Sequence, residues 1–380
     1  MDFGFNSDQE MIRDTARKFL ENECPKEKTR ELMKSGKGFD SGIWKQMVEL
    51  GWTGLIIPEQ YGGSGMSYLD LMVIMEEIGR NICPGPFFAT AALCSLPIIS
   101  FGTEQQKKEI LPRIASEGEI WTLALLETPV SYDASGINLS AKAEGDHYTL
   151  NGTKLFVQYA NSADKMLAIG RTSKDGLTAF IVDAKSPGIS MSVIPTQAKD
   201  MRCEVVFNNV KVPGTNVLGK VDKGYDVVDS IIQNAAPLKS AEMAGGAQYV
   251  LEITTQYCKE RIQFDKPLGA FQAIQHKLAD LLIDIDGLKF LVYEASWQIS
   301  ENCATPRIVS MAKFKANTVY QQACIDCMIA QGAMGFTNEM DVGLFHLRTK
   351  MNEFECGGSD FHKERITSDL ENIKPEYLSL

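Results

Sequence analysis

Residues 257–280 read YCKERIQFDKPLGAFQAIQHKLAD and lie among three long stretches with helical hydrophobic spacing. These stretches cover about 241–262, about 271–300 and about 305–332. Apolar residues that recur every three or four positions are typical of amphipathic helices. A further helix is predicted from Gly224, and Pro237 is expected to kink or restart it because proline has no N–H to donate. The last part of the chain is therefore predicted to be helical, with a loosely structured tail from Thr367.

The first third of the chain also carries helix signals, whereas near Ile120 the sequence pattern changes from helix-like to strand-like. Ser7 with Glu10 is predicted to form a capping box, and Thr103 with Gln106 is predicted to form another cap. Short β-rich pieces then follow, and hairpin turns are predicted at Gly145-Asp146, Asn151-Gly152 and Asp175-Gly176. The predicted fold class is thus α+β and multidomain. Its domains are an N-terminal helical domain over 1–119, a central β-barrel or sandwich domain over 120–222 and a C-terminal helical domain over 223–380.

The composition disfavours several classes of function. The 380 residues include 38 basic and 49 acidic side chains, a net charge of −11, so a basic face for nucleic-acid binding is not expected. The most apolar run, 89–101, is shorter than a membrane span and contains Pro97. The N-terminus has no basic segment followed by an apolar one, so no secretory signal is predicted there. Nine cysteines spread along the chain fit reduced thiols in the cytoplasm better than a disulfide framework.

Short motifs for metal, redox or phosphate chemistry are weak. Cys324 and Cys327 form a CxxC without a second ligand pair, so buried and inert thiols are predicted there. The four histidines have no metal-ligand spacing, and no metal site is predicted. The glycine-rich stretches 62–65 and 332–335 match neither the GxGxxG nor the P-loop pattern, and each is more often a turn.

The stretch at 257–280 resembles the signature of the acyl-CoA dehydrogenase family, which is close to YxxxRxQFGxPLxxFQxxxHxLAD. Three other segments resemble family motifs in the same order: LIIPEQYGG at 55–63, NGTK at 151–154 and GAMGF at 332–336. The resemblance covers roughly residues 5–365. It implies a helical domain, a central β domain and a C-terminal four-helix bundle, assembled as a dimer or tetramer.

The resemblance also implies a chemistry. In this family a carboxylate takes the α proton of an acyl-CoA thioester, and the β hydride passes to the flavin of FAD. Electrons usually leave to an electron-transferring flavoprotein. The flavin carries the redox chemistry, while the protein positions it and supplies the base.

Cofactor positions follow from the motifs residue by residue. Arg261 matches the family's arginine for the pyrophosphate of FAD in the neighbouring subunit, where a fork of donors suits a diphosphate. Phe156 keeps an aromatic face for the flavin, while Gln158 stands where the family commonly has a small threonine. The remaining implied cofactor contacts are Gln263, Phe264, Leu268, Phe271 and Gly332.

Other flavin contacts depart from the family pattern. The segment that usually reads (T)EPxxGSD has Leu126 in place of threonine and Tyr132 in place of serine. Several polar contacts are thus altered together, which puts flavin affinity or redox potential in doubt.

The position of the family's catalytic base departs most from the family pattern. Cys356 stands where the family has its glutamate, and Ala235 occupies the alternative position for the base. A thiol of ordinary pKa is a poor base at neutral pH, so without a nearby cation Cys356 reads as a small lining residue. Glu242, two helical turns beyond Ala235, and Glu355 are the other candidates, and Asp360 is a weaker one. The plain alternative for Glu242 is a hydrogen bond between helices.

Three functional hypotheses remain open. The first is a divergent FAD-dependent acyl-CoA dehydrogenase with a displaced acid, acting on an unusual or alicyclic acyl-CoA. The second is a non-catalytic or half-site subunit that pairs with an active paralogue in a heteromer. The third is a different reaction on the same scaffold. The first is the prediction, as a homo-oligomer and with an electron-transferring flavoprotein as acceptor.

Overall fold

The computed structural model describes residues 4–371, which divide into two compact units. The first unit, called the helical unit here, contains 4–31, 68–83 and 236–371. The second, the sheet unit, contains 32–67 and 84–235. Each unit draws on distant parts of the sequence.

Eleven α-helices lie within the described residues: α1 (Ser7–Glu23), α2 (Lys26–Ser35), α3 (Ser41–Glu49), α4 (Tyr68–Asn81), α5 (Leu96–Phe101), α6 (Glu104–Pro112), α7 (Gly224–Glu260), α8 (Gln272–Ser300), α9 (Pro306–Gln331), α10 (Val342–Phe354) and α11 (Ser359–Glu371). A π-helix, Phe88–Ser95, leads into α5. No helix among residues 4–371 is long and apolar enough to cross a membrane.

The described strands are β1 (Trp121–Ala124), β2 (Ser140–Glu144), β3 (His147–Gln158), β4 (Lys165–Arg171), β5 (Leu177–Asp183), β6 (Ile189–Val193), β7 (Arg202–Pro213), β8 (Val217–Leu218), β9 (Ile262–Gln263) and β10 (Lys266–Pro267). The first eight form one sheet in the order β6-β7-β3-β2-β4-β5-β8, with β1 paired to β4. The pair β9 and β10 forms a separate hairpin. The predicted α+β class with helical, β and helical segments is confirmed.

The hairpin turns are partly as the sequence predicted. Gly145-Asp146 joins β2 to β3, and Asp175-Gly176 lies between β4 and β5. The prediction for Asn151-Gly152 was wrong, because both residues lie inside β3. The register against β7 shifts there, and Gly152 has φ +146°. A glycine accommodates this irregularity without ending the strand.

One of the two predicted helix caps needs correction. The first helix is capped by Asn6 and Gln9 rather than by Ser7 and Glu10, since the Asn6 side chain accepts the N–H of Gln9 at 2.9 Å. The cap at Thr103 and Gln106 is confirmed. Asparagine serves as well as serine at an N-cap, so two neighbouring candidates compete.

The predicted restart of the helix at Pro237 was wrong, because α7 runs through it from Gly224 to Glu260, while the alternative of a kink stays a prediction. The neighbouring Ala236 and Leu238 are fully buried, so packing outweighs the one hydrogen bond that proline removes. The prediction of a loosely structured tail from Thr367 was also wrong for the part of the tail that the structure describes. Residue 367 lies within α11, and 372–380 fall outside the described residues.

The helical unit is organised by the close approach of α4 to α7. A Cβ on Gly79 would stand 1.8 Å from the carbonyl oxygen of Glu242, and one on Gly245 would stand 1.9 Å from that of Glu76. Only glycine lets the two backbones come this near. Helix α1 is held to α4 by Arg17, whose Nε and Nη2 donate to the Glu77 carboxylate at 2.9 and 2.6 Å. The segment that carries Glu242 is thereby fixed against α4.

Candidate functional site

The position at which the sequence predicts the loss of the family glutamate, Cys356, lies in a tight turn between α10 and α11. Cys356 is buried and has φ +59°, and Gly357 follows with φ +109°. A Cβ on Gly357 would stand 2.4 Å from Cδ1 of Phe361 and 2.8 Å from Nε2 of His362. The turn therefore depends on glycine at 357, and it fixes where the Cys356 side chain can lie.

A fully buried lysine on α9 holds this turn. Lys313 donates to the carbonyl oxygens of Asn352 and Glu353, both at 2.9 Å, to that of Gly357 at 3.5 Å and to Oδ1 of Asn317 at 2.5 Å. The last carbonyls of a helix carry partial negative charge, which makes the end of α10 a natural site for a cation. Burial lowers the pKa of Lys313 to about 7, because a charged amine is costly to remove from water.

Two of the three predicted base candidates act on this lysine directly, and the third, Glu242, is connected to it through Lys239. Cys356 and Glu355 each interact electrostatically with Lys313, and so does Lys239. Lys239 in turn donates to Oε2 of Glu242 at 2.5 Å, and both side chains are largely buried. Asn352 donates to Oε1 of Glu242 at 3.4 Å. The Lys313 cluster (Lys313, Lys239, Glu242, Asn352, Glu355 and Cys356) thus brings the candidates together.

Two further groups face Cys356. His362 is buried and its Nε2 lies 3.0 Å from the carbonyl oxygen of Cys356. Burial, with the nearby Lys313, lowers the pKa of His362 to about 3, so the ring is neutral and Nε2–H donates to the carbonyl. Tyr68 is also buried near Cys356, and burial raises the pKa of its hydroxyl far above the ordinary value. A cation, Lys313, therefore lies near Cys356, although no local sequence motif predicts it.

Lys313, Lys239, Asn352 and Tyr68 were missed at the level of sequence. A signal for Lys313 existed, because it shares one helical face with Val309, Ala316 and Tyr320, all buried. A charged residue on an apolar stripe is unusual unless it is partnered. The partners of Lys313 are backbone carbonyls from another helix, and no local sequence motif predicts such a contact.

The sheet unit carries the other candidate residues near the end of β3. The register between β3 and β7 shifts between Lys154 and Val157, and Phe156 has φ +56°. Gln158 is buried, and its Nε2 has no hydrogen-bond partner among residues 4–371. A buried amide donor without a partner is costly, so this atom suits a ligand with an acceptor oxygen or nitrogen. A flavin ring offers such acceptors, so Gln158 fits the cofactor.

The glutamate of the altered flavin segment has a structural role. The Glu127 carboxylate accepts Nζ of the fully buried Lys154 at 2.6 Å and the N–H groups of Asn138 and Leu139, both at 2.9 Å. Lys154 also donates to the carbonyl oxygen of Leu125 at 2.9 Å. This buried ion pair ties the segment after β1 to β3 and fixes the backbone around Leu126.

The 257–280 stretch forms an exposed hairpin followed by the start of α8. Arg261, Gln263 and Phe264 are all exposed, and Phe264 shows 85% of its surface. Phe264 and Phe271 meet edge to face with ring centroids 6.1 Å apart. Among residues 4–371 the Arg261 side chain has no hydrogen-bond or ion-pair partner. Leu268 is half-buried and Gly332 is exposed after α9, with φ +64°. An unpaired guanidinium and an exposed aromatic ring fit contacts made outside this chain.

The sequence matches three domain families along nearly its whole length. These are the acyl-CoA dehydrogenase N-terminal domain over 6–118, the middle domain over 122–210 and the C-terminal domain over 222–370. A probable acyl-CoA dehydrogenase of Bacillus subtilis is 30% identical over 97% of this chain and 100% of that protein. The chain belongs to the acyl-CoA dehydrogenase family.

Other relatives agree with this placement. A subunit of the caffeyl-CoA reductase–Etf complex of Acetobacterium woodii is 31% identical over 89% of this chain and 91% of that protein. Butyryl-CoA dehydrogenase from Megasphaera elsdenii has a similar structure, with a TM-score of 0.92 and 29% identity over 97% of this chain and 100% of that one. As a family member this chain is a flavin oxidoreductase that acts on CH–CH groups, with FAD as its cofactor. Within residues 4–371 no group of three or more His, Cys, Asp or Glu side chains could hold a metal ion.

Proposed function

We propose that this chain catalyses FAD-dependent α,β-dehydrogenation of an acyl-CoA thioester, with Glu242 taking the α proton in place of the missing glutamate at position 356. The observation that supports this most is the Lys313 cluster, in which Glu242 and Cys356 interact with the same group of buried side chains. A carboxylate is therefore retained in the cluster although it comes from α7 rather than from the α10–α11 turn.

Glu242 is preferred among the three candidates on chemical grounds. Cys356 interacts with Lys313, and a thiol beside a cation favours a thiolate, which is a nucleophile and metal ligand rather than the carboxylate base that the family uses. Glu355 belongs to the C-cap of α10 and acts on Lys313 from the turn itself. The Glu242 side chain is only 12% exposed and has Lys239 as counter-ion when ionised. Partial burial of a carboxylate is the condition that α-proton abstraction requires.

FAD, when bound, accepts the hydride from the β carbon. We propose that Gln158 offers its unpartnered amide to the flavin ring and that Phe156 lies against it. Arg261 is proposed to bind the pyrophosphate of an FAD in a neighbouring subunit, with Gln263, Phe264, Leu268, Phe271 and Gly332 around it. The exposure of the hairpin and the absence of a partner for Arg261 among residues 4–371 support this assignment.

The proposed partners follow from the same assignments. If Arg261 reaches a neighbouring FAD, the working form is a homodimer or homotetramer. An electron-transferring flavoprotein is the proposed electron partner, because one relative is itself a subunit of a complex with Etf. The proposed substrate class is an unusual acyl-CoA with an alicyclic or aromatic group, which the replaced catalytic position and that caffeyl-CoA relative both favour.

A second function has one observation in its favour. Glu242 already has two partners, Lys239 at 2.5 Å and Asn352 at 3.4 Å, as expected of a purely structural carboxylate. Such a chain would be a non-catalytic subunit that binds FAD and pairs with an active paralogue. The two functions differ in whether the protein expressed alone oxidises any acyl-CoA.

The test is flavin bleaching by the purified protein. Reconstituted with FAD, it is screened without oxygen against straight, branched, alicyclic and aryl-substituted acyl-CoAs, and loss of flavin absorbance is followed. We expect at least one substrate to bleach the flavin. Glu242→Gln should slow bleaching at least about 100-fold, whereas Glu355→Gln and Cys356→Ser should stay within about threefold.

Glu252 provides the matched control, since it lies on the same helix and also has a cationic partner, Arg80 at 2.5 Å. Glu252→Gln should leave the bleaching rate unchanged. Bleaching of Glu242→Gln at the wild-type rate would contradict the assignment of the base. A protein that binds FAD but is bleached by none of the thioesters would favour the non-catalytic subunit.

A further inference from the structure

The end of β3 bends at Phe156 and the chain bends again at Tyr159, and Gln158 lies between the two bends. Phe156 and Tyr159 have φ of +56° and +49°, in the left-handed region that side chains other than glycine rarely adopt. Such residues carry backbone strain and persist only where their surroundings hold them. The contacts that hold this segment therefore decide where Phe156 and Gln158 lie.

Arg202 on β7 lies directly opposite Gln158 in the ladder between β3 and β7. The carbonyl oxygen of Arg202 accepts the N–H of Ile194 on the other side of β7, at 2.8 Å. The carbonyl oxygen of Gln158 likewise points away from β7, since it accepts the hydroxyl of Thr122 on β1. Arg202 and Gln158 thus form a non-hydrogen-bonded pair, the kind in which opposite side chains come closest. Both side chains leave the sheet on the same face, one beside the other.

The Arg202 side chain is buried, and an ion pair fixes it close to its own strand. Its Nε donates to Oδ2 of Asp200 at 2.6 Å, and the two side chains are 7% and 11% exposed. Asp200 also accepts the hydroxyl of Thr196, through Oδ1 at 2.7 Å. Nη1 of Arg202 donates to the carbonyl oxygen of Phe156 in a long hydrogen bond of 3.4 Å. A guanidinium can make both contacts because its donors lie in a rigid, planar fork.

Two other contacts hold the same segment within the sheet unit. The hydroxyl of Thr122, which is fully buried, donates to the carbonyl oxygen of Gln158 at 2.5 Å. The N–H of Tyr159 donates to the carbonyl oxygen of Met201 at 3.1 Å. Neither contact reaches the first bend. Arg202 therefore links that bend to the strand opposite Gln158.

The amide that these contacts hold in place is left unsatisfied. Gln158 is buried, and its Nε2 has no hydrogen-bond partner among residues 4–371. Holding a buried donor without an acceptor is costly, and a ligand that accepts the hydrogen bond removes this cost. The strain at Phe156 and the unsatisfied amide of Gln158 thus occur in one short segment, as is typical of a binding site shaped in advance.

We propose that Arg202 is a positioning residue for FAD. Fixed by Asp200, it holds the bend at Phe156 and flanks Gln158, so the end of β3 already has its binding shape before the cofactor enters. The inference rests on the proposed contact of Phe156 and Gln158 with the flavin ring. A site shaped in advance binds more tightly, because less conformational freedom is lost on binding. Arg202 needs no contact with FAD to have this effect.

The experiment measures how tightly the full-length protein holds FAD. The holoprotein is diluted in steps, the fluorescence of released flavin gives the dissociation constant, and circular dichroism checks that each variant is folded. Arg202→Met should raise the dissociation constant at least about tenfold, because the bend at Phe156 loses its support. Arg202→Lys keeps the charge beside Asp200 but not the fork, and it should raise the constant only about threefold.

A double-variant cycle tests whether Arg202 acts through Gln158. Gln158→Leu alone should raise the FAD dissociation constant at least about tenfold, because the amide donor is lost. Once Gln158 is gone, its position no longer matters. The combined effect of Arg202→Met with Gln158→Leu should therefore fall short of the product of the two single effects by at least about threefold.

Gln106 provides the matched control. It lies in the sheet unit, is 7% exposed, and its Nε2 donates to the carbonyl oxygens of Thr215 and Val217 at 3.0 and 2.9 Å. Gln106→Met thus removes a buried side chain that holds backbone carbonyls elsewhere in the unit. It should lower the melting temperature but leave the FAD dissociation constant within about twofold of wild type.

Three outcomes would overturn the positioning role of Arg202 and leave the cofactor contacts standing. They are wild-type FAD affinity in Arg202→Met although Gln158→Leu binds weakly, single effects that multiply without coupling, and equal weakening by Gln106→Met. Wild-type affinity in Gln158→Leu would instead contradict the proposed flavin contact, and the inference would fail with it.

Discussion

The two units each bury a lysine completely, and they neutralise it in different ways. In the sheet unit Lys154 meets a carboxylate, Glu127, at 2.6 Å, and burial lowers its pKa to about 8. In the helical unit the hydrogen-bond partners of Lys313 are all neutral oxygens, and its pKa falls further, to about 7. A full counter-ion compensates lost hydration better than carbonyl dipoles do. Lys154 is therefore built as a fixed ion pair, whereas Lys313 can lose its proton near neutral pH.

The largest effect is expected at the ion pair. Lys154→Met leaves the buried Glu127 carboxylate without its cation, although two backbone N–H groups still donate to it. We expect the free energy of unfolding to fall by about 3–5 kcal/mol in urea titrations. The double variant Lys154→Met with Glu127→Gln should lose clearly less than the sum of the single losses. Simple additivity would show that the pair is not coupled.

The next effect is expected at the lysine without a counter-ion. Lys313→Met leaves the last carbonyls of α10 buried and unsatisfied, and we expect a loss of about 2–3 kcal/mol at neutral pH. Lys315, two residues along the same helix, is the control. Its pair with Asp284 is partly exposed, so Lys315→Met should cost less than about 0.5 kcal/mol.

The difference in stability between wild type and Lys313→Met should depend on pH in a defined direction. Between about pH 7 and its ordinary pKa of 10.5, Lys313 is deprotonated in the folded protein and protonated in the unfolded chain. The unfolded state then binds more protons, so the stability of wild type should rise with pH relative to Lys313→Met. A difference that stays constant or shrinks across this window would contradict a buried lysine with neutral partners.

His362 titrates beside the same turn. Burial lowers its pKa from 6.5 to about 3, so below pH 6.5 the unfolded chain takes up a proton that the folded protein does not. Stability should therefore fall as the pH falls, by about 2 kcal/mol between pH 6.5 and pH 5. His362→Gln should remove this part of the slope. His276→Gln, at an exposed site, should leave it unchanged.

The smallest effect is expected at Asn317, and it tests how the neutral oxygens share in binding the Lys313 ammonium. Asn317→Leu removes the one side-chain acceptor of Lys313 and leaves the three backbone carbonyls. We expect a loss of about 1 kcal/mol by urea titration, and Thr318→Ala, at an exposed neighbour, should cost less than about 0.5 kcal/mol. A loss as large as that of Lys313→Met would mean that Asn317, rather than the end of α10, holds the ammonium.

Much of the fold was predictable from local patterns. The long helices α8 and α9, the cap at Thr103 and the strand β5 follow from hydrophobic period and capping chemistry that neighbouring residues determine. The errors at Asn151-Gly152 and Pro237 have one cause. Asn-Gly and proline usually end a strand or a helix. Here each lies inside an element whose packing outweighs that local preference, and sequence spacing does not measure packing.

Some candidate site residues were likewise predictable from the sequence, and others were not. Arg261 and Cys356 were found because motifs place them at fixed positions in the chain, and their roles stay proposals. Lys313 was not found, because its partners lie about forty residues downstream on another helix.

The sequence by itself determined the family and the α+β class, because these depend on residue identity and short-range order. Only the tertiary structure decided which charges meet. It placed Lys313 at the end of α10 and the Gln158 Nε2 where no residue of 4–371 accepts its hydrogen bond. Electrostatic and hydrogen-bond energies depend on distance and burial in space, and a linear sequence specifies neither until the chain has folded.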